Sequence, residues 1–149
     1  MSNGLESNEM VNEPLPRQLV FAGKAIQEAF AAALADAGGS LATWIVLSAL
    51  SDVGIVSQAV LASHVRLEGA TITHHVDRLE AAGLVRRRID PDDRRVRRLE
   101  LTAAGEELHA RLLAAAKAFE QKATAGLSER DVATVRRVLA RIQANLSAE

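Results

Sequence analysis

The helix-like stretch Thr71-Ile72-Thr73-His74-His75-Val76-Asp77-Arg78-Leu79 is followed, after Glu80-Ala81-Ala82-Gly83, by Leu84-Val85-Arg86-Arg87-Arg88-Ile89. The chain continues through the tip Asp90-Pro91-Asp92-Asp93-Arg94-Arg95 into Val96-Arg97-Arg98-Leu99-Glu100-Leu101. Ile72, Val76 and Leu79 stand at i, i+4 and i+7, the spacing of a helix that turns one stripe toward a core. The opposite side then presents Thr71, His74, His75 and Arg78, with Ala70 and Thr73 near the first turn. These side chains are short or hydrogen-bonding, of a size suited to base edges and phosphates. Any solvated surface helix shows such a face, so the residues that follow decide the reading. Segments 84–89 and 96–101 are β-compatible and enclose a turn-rich charged tip, which predicts one hairpin. Guanidinium groups match phosphate in a two-pronged geometry and enter narrow, electronegative minor grooves, so a hairpin this rich in arginine suits DNA better than a protein core. Within the tip, Asp93 is expected to orient an arginine of the same loop through a salt bridge, reducing the side-chain freedom that binding removes.

Working outward, Ser57 is a candidate cap for a short helix holding Val60, Leu61 and Val65, and Arg66-Leu67 turns the chain into the helix over about 69–82. Two short helices with so brief a link predict a helix-turn-helix. Upstream, Leu19, Ala22, Ile26, Ala29, Phe30 and Ala33 keep close to a helical period over about 17–37, and Gly38-Gly39 stops the run. Ser40 then caps a helix through Trp44, Leu47 and Leu50, ended by Gly54. Residues 1–16 have no apolar period and two prolines, and are expected to form a disordered arm. Downstream, Thr102 caps a long helix through Leu108, Leu112, Ala115 and Phe119. Ser128 with Asp131 opens a last helix through Val132, Val135, Leu139, Ile142 and Leu146. The class is α+β, mainly α.

Composition narrows the function. A chain of 149 residues is long enough for one domain with a real core. No uninterrupted apolar run reaches the length of a bilayer, and the polar start lacks the charged and hydrophobic regions of a secretory signal, so a cytoplasmic protein without membrane contact is expected. The absence of cysteine excludes a disulfide framework and any thiol nucleophile, ligand or sensor. A net charge of −1 taken alone argues against nucleic acid as a partner. The distribution of that charge argues the opposite way, because Arg86, Arg87, Arg88, Arg94, Arg95, Arg97 and Arg98 cluster in the hairpin while Glu106, Glu107, Glu120, Glu129 and Asp131 lie beyond it.

From about residue 40 to residue 105 the chain resembles the MarR (multiple antibiotic resistance regulator) family, including its SlyA-like members. The resemblance is carried by Leu61-Ala62, Thr71-Ile72-Thr73, Val76-Asp77-Arg78-Leu79-Glu80-Ala81-Ala82-Gly83-Leu84-Val85-Arg86-Arg87, Asp90-Pro91-Asp92-Asp93-Arg94-Arg95 and Leu99-Glu100-Leu101-Thr102-Ala103-Ala104-Gly105, in order. It implies a winged helix-turn-helix lobe over 40–101 and helical dimerisation regions over 17–38 and 102–147. The recognition helix would lie in the major groove and the wing in the adjacent minor groove. The family's wing pair of Asp and Arg two apart maps onto Asp93 and Arg95, beside Arg94 and Arg97. The apolar stripes at both ends of the chain likewise ask for a partner. A two-fold homodimer would set two recognition helices about 34 Å apart on a pseudo-palindromic operator in double-stranded DNA. Glu68 stands where the family often has a capping Ser or Thr, and its carboxylate would repel a nearby phosphate, so Glu68→Ser is expected to tighten DNA binding.

The same resemblance implies repression relieved by a small, often aromatic, anionic effector, for which Trp44, His75 and Arg87 are the candidate contacts. His64, His74, His75 and His109 have no metal-ligand spacing, and neither a metal nor a cofactor is expected. No phosphate loop, nucleophile elbow or paired carboxylate marks an enzyme. The rival reading is a helical protein-interaction module that does not bind DNA, and the arginine-rich tip speaks against it.

Overall fold

The computed structural model describes residues 13–65 and 69–147, without the side chains of Gly69 and Ala70. Arg66 and Glu68 lie outside the described residues, as do residues 1–12 of the expected arm and the side chain of the candidate contact Ala70. In chain order the elements are α1 (Leu15–Asp36), α2 (Leu41–Val53), β1 (Val56–Ser57), α3 (Gln58–Val65) and α4 (Gly69–Ala81). They continue with β2 (Val85–Ile89), β3 (Arg97–Leu101), α5 (Ala103–Ala123) and α6 (Glu129–Leu146). The winged helix-turn-helix class expected from the sequence is the one observed, with β2 and β3 as the wing. The described residues form two compact units, one ending at Ala116 and one beginning at Lys117.

Local chemistry sets the boundaries in the first unit. Ser40 caps α2, its Oγ accepting from Thr43 N at 3.1 Å, and Ser57 Oγ accepts from Val60 N at 3.3 Å at the start of α3. Gly83 ends α4 at φ 74, a left-handed conformation cheap only for glycine. There Gly83 N donates to Glu80 O and Leu84 N to Leu79 O, both at 2.9 Å, closing the helix and aiming the chain into β2. Thr102 then ties the wing to α5. Its Oγ1 donates to Gly83 O at 2.6 Å and accepts from Gly105 N at 3.1 Å. Gly105 sits so close to the strand that a Cβ there would overlap the carbonyl oxygen of Leu84.

The sequence predicts one hairpin, whereas the sheet has three strands in the order β1-β3-β2. The additional strand is the two-residue β1, which pairs antiparallel with β3 through Val56↔Leu99 and Ser57↔Arg98. Two residues carry no detectable alternation, so only the tertiary pairing defines it. The core of this unit gathers Leu34, Val46, Leu47, Leu50, Leu61, Ile72, Val76, Leu79, Val85, Leu99, Leu108 and Leu112. The predicted stripe of α4 is in it, with Ile72, Val76 and Leu79 no more than 6% exposed. Burying such side chains contributes roughly 1.5–3 kcal/mol each. The core therefore holds α4 with its other faces turned outward. On α1, by contrast, Leu15, Val20, Phe21 and Ile26 remain exposed.

In the second unit, Ser128 and Asp131 form a reciprocal capping box at the head of α6. Hydrogen bonds from the Ser128 side chain and backbone hold the Asp131 carboxyl below its ordinary value. Arg136 Nη2 donates to Glu120 Oε1 at 2.6 Å across the turn from α5. No residue of α6 is buried, yet Val135, Val138, Leu139 and Leu146 are large apolar side chains in water. No single helix among the described residues is long and apolar enough to cross a membrane.

Candidate nucleic-acid interface

With Ile72, Val76 and Leu79 buried, the geometry of a helix leaves α4 two polar faces. On one, Thr71, His74 and Arg78 are exposed, and His75 is half-buried at its margin. The other carries Thr73, Asp77 and Glu80 at i, i+4 and i+7 and turns toward neighbouring elements. Thr73 belongs to this second face, where its Oγ1 accepts from Gln58 Nε2 at 2.7 Å. Gln58 and Glu80, which carry no functional signal in the sequence, share the network with Arg87. The guanidinium ion-pairs with Asp77 at 2.5 Å and with Glu80, and reaches Gln58 Oε1 at 3.4 Å. Burial alone would lower the Arg87 pKa, but the hydrogen bonds and charges of Asp77 and Glu80 outweigh it and raise the value.

Strand register sorts the wing arginines. Arg86 faces Glu100 and Arg88 faces Arg98, on one side of the ribbon. Arg87, Leu99, Ile89 and Arg97 share the other side. Two arginines directly opposite each other repel, and carboxylates on the same side compensate. Glu100, nearly buried, accepts from Arg86 Nε at 2.5 Å and pairs with Arg88 Nε at 2.6 Å. Arg98 is bound to Asp90. Arg86, Arg87, Arg88 and Arg98 are therefore held by carboxylates of the same chain. Arg78, Arg94 and Arg97 make no ion pair among the described residues.

Asp90 is the keystone of the tip. It is 5% exposed, and its Oδ1 accepts from Asp92 N at 2.7 Å and Asp93 N at 3.2 Å while Oδ2 takes the Arg98 guanidinium. The hydrogen bond from Asp92 N, then that from Arg98, depress the Asp90 pKa. Asp93 Oδ1 in turn accepts from Arg95 N at 2.9 Å and lies 3.8 Å from Arg95 Nε. The Arg95 side chain is 95% exposed, so its ion pair with Asp93 is an easily exchanged contact and the backbone bond is the stronger restraint. Arg94, Arg95 and Arg97 thus project from a tip whose shape is set by hydrogen bonds beneath it.

The three candidate effector contacts do not meet in one place. His75 lines a cavity of about 180 Å³ with Arg78, Ser40, Thr43 and Leu108. Arg87 is engaged in its ion pairs, and Trp44 is half-buried with its ring edge-on to Phe30 at 5.3 Å. Neither lines that cavity, and Arg78 supplies its guanidinium instead. A further cavity of about 420 Å³ is edged by Glu100 and Glu106, whose charges disfavour an anion.

Comparison with known proteins agrees with this architecture. The sequence profile of the MarR family matches residues 40–96, the span from the Ser40 cap through the wing tip. The crystal structure of a probable transcriptional regulator from Pseudomonas aeruginosa is 32% identical, with a TM-score of 0.74 over 87% of this chain and 99% of that one. The winged helix-turn-helix lobe is that of the MarR family. BpsR of Bordetella bronchiseptica, whose DNA binding is regulated by 6-hydroxynicotinic acid, is 25% identical to this chain. Its TM-score is 0.79, over 88% of this chain and 94% of BpsR. A stretch of 92 residues is 30% identical to YdgJ of Bacillus subtilis (strain 168), an uncharacterized HTH-type transcriptional regulator. That match covers 62% of this chain and only 56% of YdgJ, little more than half of the relative. The relatives are transcriptional regulators, and this chain has the family's winged-helix DNA-binding fold.

Proposed function

We propose that this chain is a transcriptional regulator, not an enzyme, that binds duplex DNA as a homodimer in the cytoplasm. On this reading α4 lies in the major groove, with Thr71, His74 and Arg78 toward the bases and phosphates, and the wing enters the minor groove through Arg94, Arg95 and Arg97. Ala70, Thr73 and His75 flank the reading face, and Asp93 orients Arg95. One observation carries the proposal: among the described arginines of α4 and the wing, Arg78, Arg94, Arg95 and Arg97 have no stable carboxylate partner and lie on the exposed face of α4 and the wing tip, while the remaining hairpin arginines are used internally. Phosphate attraction needs unneutralised charge, and within α4 and the wing these are the positions that keep it. The exposed apolar side chains of α1 and α6 support a second copy as the partner that covers them. Two-fold symmetry then gives a pseudo-palindromic site with half-sites about 34 Å apart.

We further propose repression relieved by a small aromatic anion in the cavity beside α4. Its volume of about 180 Å³ suits one small ring, since drug-sized ligands need roughly 300–1,000 Å³. His75 and Arg78 offer charge, and Ser40 and Thr43 offer hydroxyl groups. The regulation of BpsR by 6-hydroxynicotinic acid supports the class of ligand. An occupant touching Arg78 competes with DNA for the same guanidinium, which supplies the differential affinity that a population shift requires. The test is fluorescence anisotropy with randomised duplexes across a salt series, then titration with benzoate and 6-hydroxynicotinate. Salt-sensitive binding by a two-chain species supports the reading, and a monomer with no salt-sensitive affinity for any duplex ends it. If DNA is bound but neither anion releases it, the effector proposal alone is lost.

A further inference from the structure

We propose that Arg87 is a positioning residue that fixes the wing against the reading helix, so that sequence discrimination depends on it while phosphate attraction does not. The inference rests on the DNA-binding reading above. Arg87 rises from the middle of β2, opposite the fully buried Leu99, so the root of the side chain is anchored in the core. Its guanidinium spans two successive turns of α4, taking Asp77 at 2.5 Å on Nη2 and Glu80 on Nη1. Nη2 also reaches Gln58 Oε1 on α3, and Gln58 Nε2 continues to Thr73 on α4. One planar group therefore joins the wing to both helices of the helix-turn-helix. A guanidinium can do this because its donors point in fixed, divergent directions, whereas a lysine ammonium is a single point of charge.

Charge excludes the simpler role of phosphate contact. Two carboxylates surround one cation, which leaves the cluster net negative toward an approaching phosphate. The side chain is 24% exposed, the least of the wing arginines that form ion pairs. The spacing between major and minor groove is set by the DNA, so a wing displaced relative to α4 cannot seat both elements at once. Base-edge hydrogen bonds fail with small displacements, while attraction to the phosphate backbone survives them.

The experiment selects duplexes with the wild-type full chain from a randomised pool. It then measures by anisotropy the ratio of Kd on a shuffled duplex to Kd on the enriched one. Arg87→Gln and Arg87→Lys are each expected to lower this ratio by about tenfold, the scale of one lost bidentate base contact, with the slope of affinity against salt unaltered. Asp77→Asn combined with Glu80→Gln is expected to lower the ratio in the same way. The inference is overturned if Arg87→Lys keeps the ratio within about twofold, or if the salt slope falls as it would for a lost phosphate contact. It is equally overturned if removing the two carboxylates raises affinity for both duplexes alike. Circular dichroism checks folding, and if Arg87→Gln does not fold, Arg87→Lys, which keeps the charge, decides the matter. If the wild-type chain enriches no duplex, the DNA-binding reading itself fails, an outcome distinct from a wild-type chain that discriminates and variants that do so equally well.

Discussion

Arg97 and Arg98 are neighbours in sequence on opposite sides of the wing, and replacing each by alanine separates the two ways this hairpin uses arginine. Arg98 is bound to Asp90 and Arg97 has no carboxylate partner among the described residues. Binding to duplex DNA releases condensed counterions, and log affinity falls with log salt at about 0.9 per neutralised phosphate. Among the described arginines of α4 and the wing, those free of a stable internal pair are Arg78, Arg94, Arg95 and Arg97, four per chain and eight in a two-chain complex. The expected slope is therefore about −7, a loss of roughly 10⁴ in affinity between 50 and 200 mM salt. Were all seven hairpin arginines and Arg78 on phosphates, sixteen contacts would give about −14. Arg97→Ala should make the dimer's slope shallower by about 2. Arg98→Ala should weaken binding, because the tip loses a partner of Asp90, and leave the slope unchanged. Anisotropy on one short duplex at five or so salt concentrations measures both. A wild-type slope near −14, or equal slope changes for the two variants, would refute the division of the arginines into free and internally held groups.

Other outcomes follow from the same contacts. Gly105→Ala gains helix propensity but drives a Cβ into Leu84 O; overpacking dominates, and thermal unfolding should fall by roughly 3–10 °C, or about 1–3 kcal/mol. Asp90 has a depressed pKa in the folded chain, so its contribution is present above the unfolded carboxyl value of about 3.9 and is lost as pH falls through the lower folded value. The stability gap between wild type and Asp90→Asn in urea unfolding should accordingly be open at pH 6 and close below about pH 4; a gap that widens in acid would be the wrong sign. Leu139→Asp, on the exposed apolar stripe of α6, should shift the protein toward monomer in sedimentation and weaken DNA binding, while helix content by circular dichroism is retained.

Residue pattern alone determined the order of the helices and the hairpin, because apolar periodicity and capping chemistry are local. The stripe Ile72, Val76 and Leu79, the caps at Ser40, Ser57, Thr102 and Ser128, and the hairpin around Asp90-Pro91 all lie in the structure where the sequence placed them. The series from Leu61 to Gly105 was enough to point to the family. What only the tertiary structure decided was the partnership of charges. Arg87 and Arg97 read alike in the sequence, and so do Arg94 and Arg98. Their difference depends on strand register, on Asp77 and Glu80 arriving from another element, and on the Asp90 carboxylate folding under the tip. Thr73 likewise turned toward Gln58, and β1 exists only through its pairing with β3. Helix period is a property of neighbours in the chain. Which of two adjacent arginines remains free to meet a phosphate is a property of neighbours in space, and Coulomb attraction between groups far apart in sequence settles it.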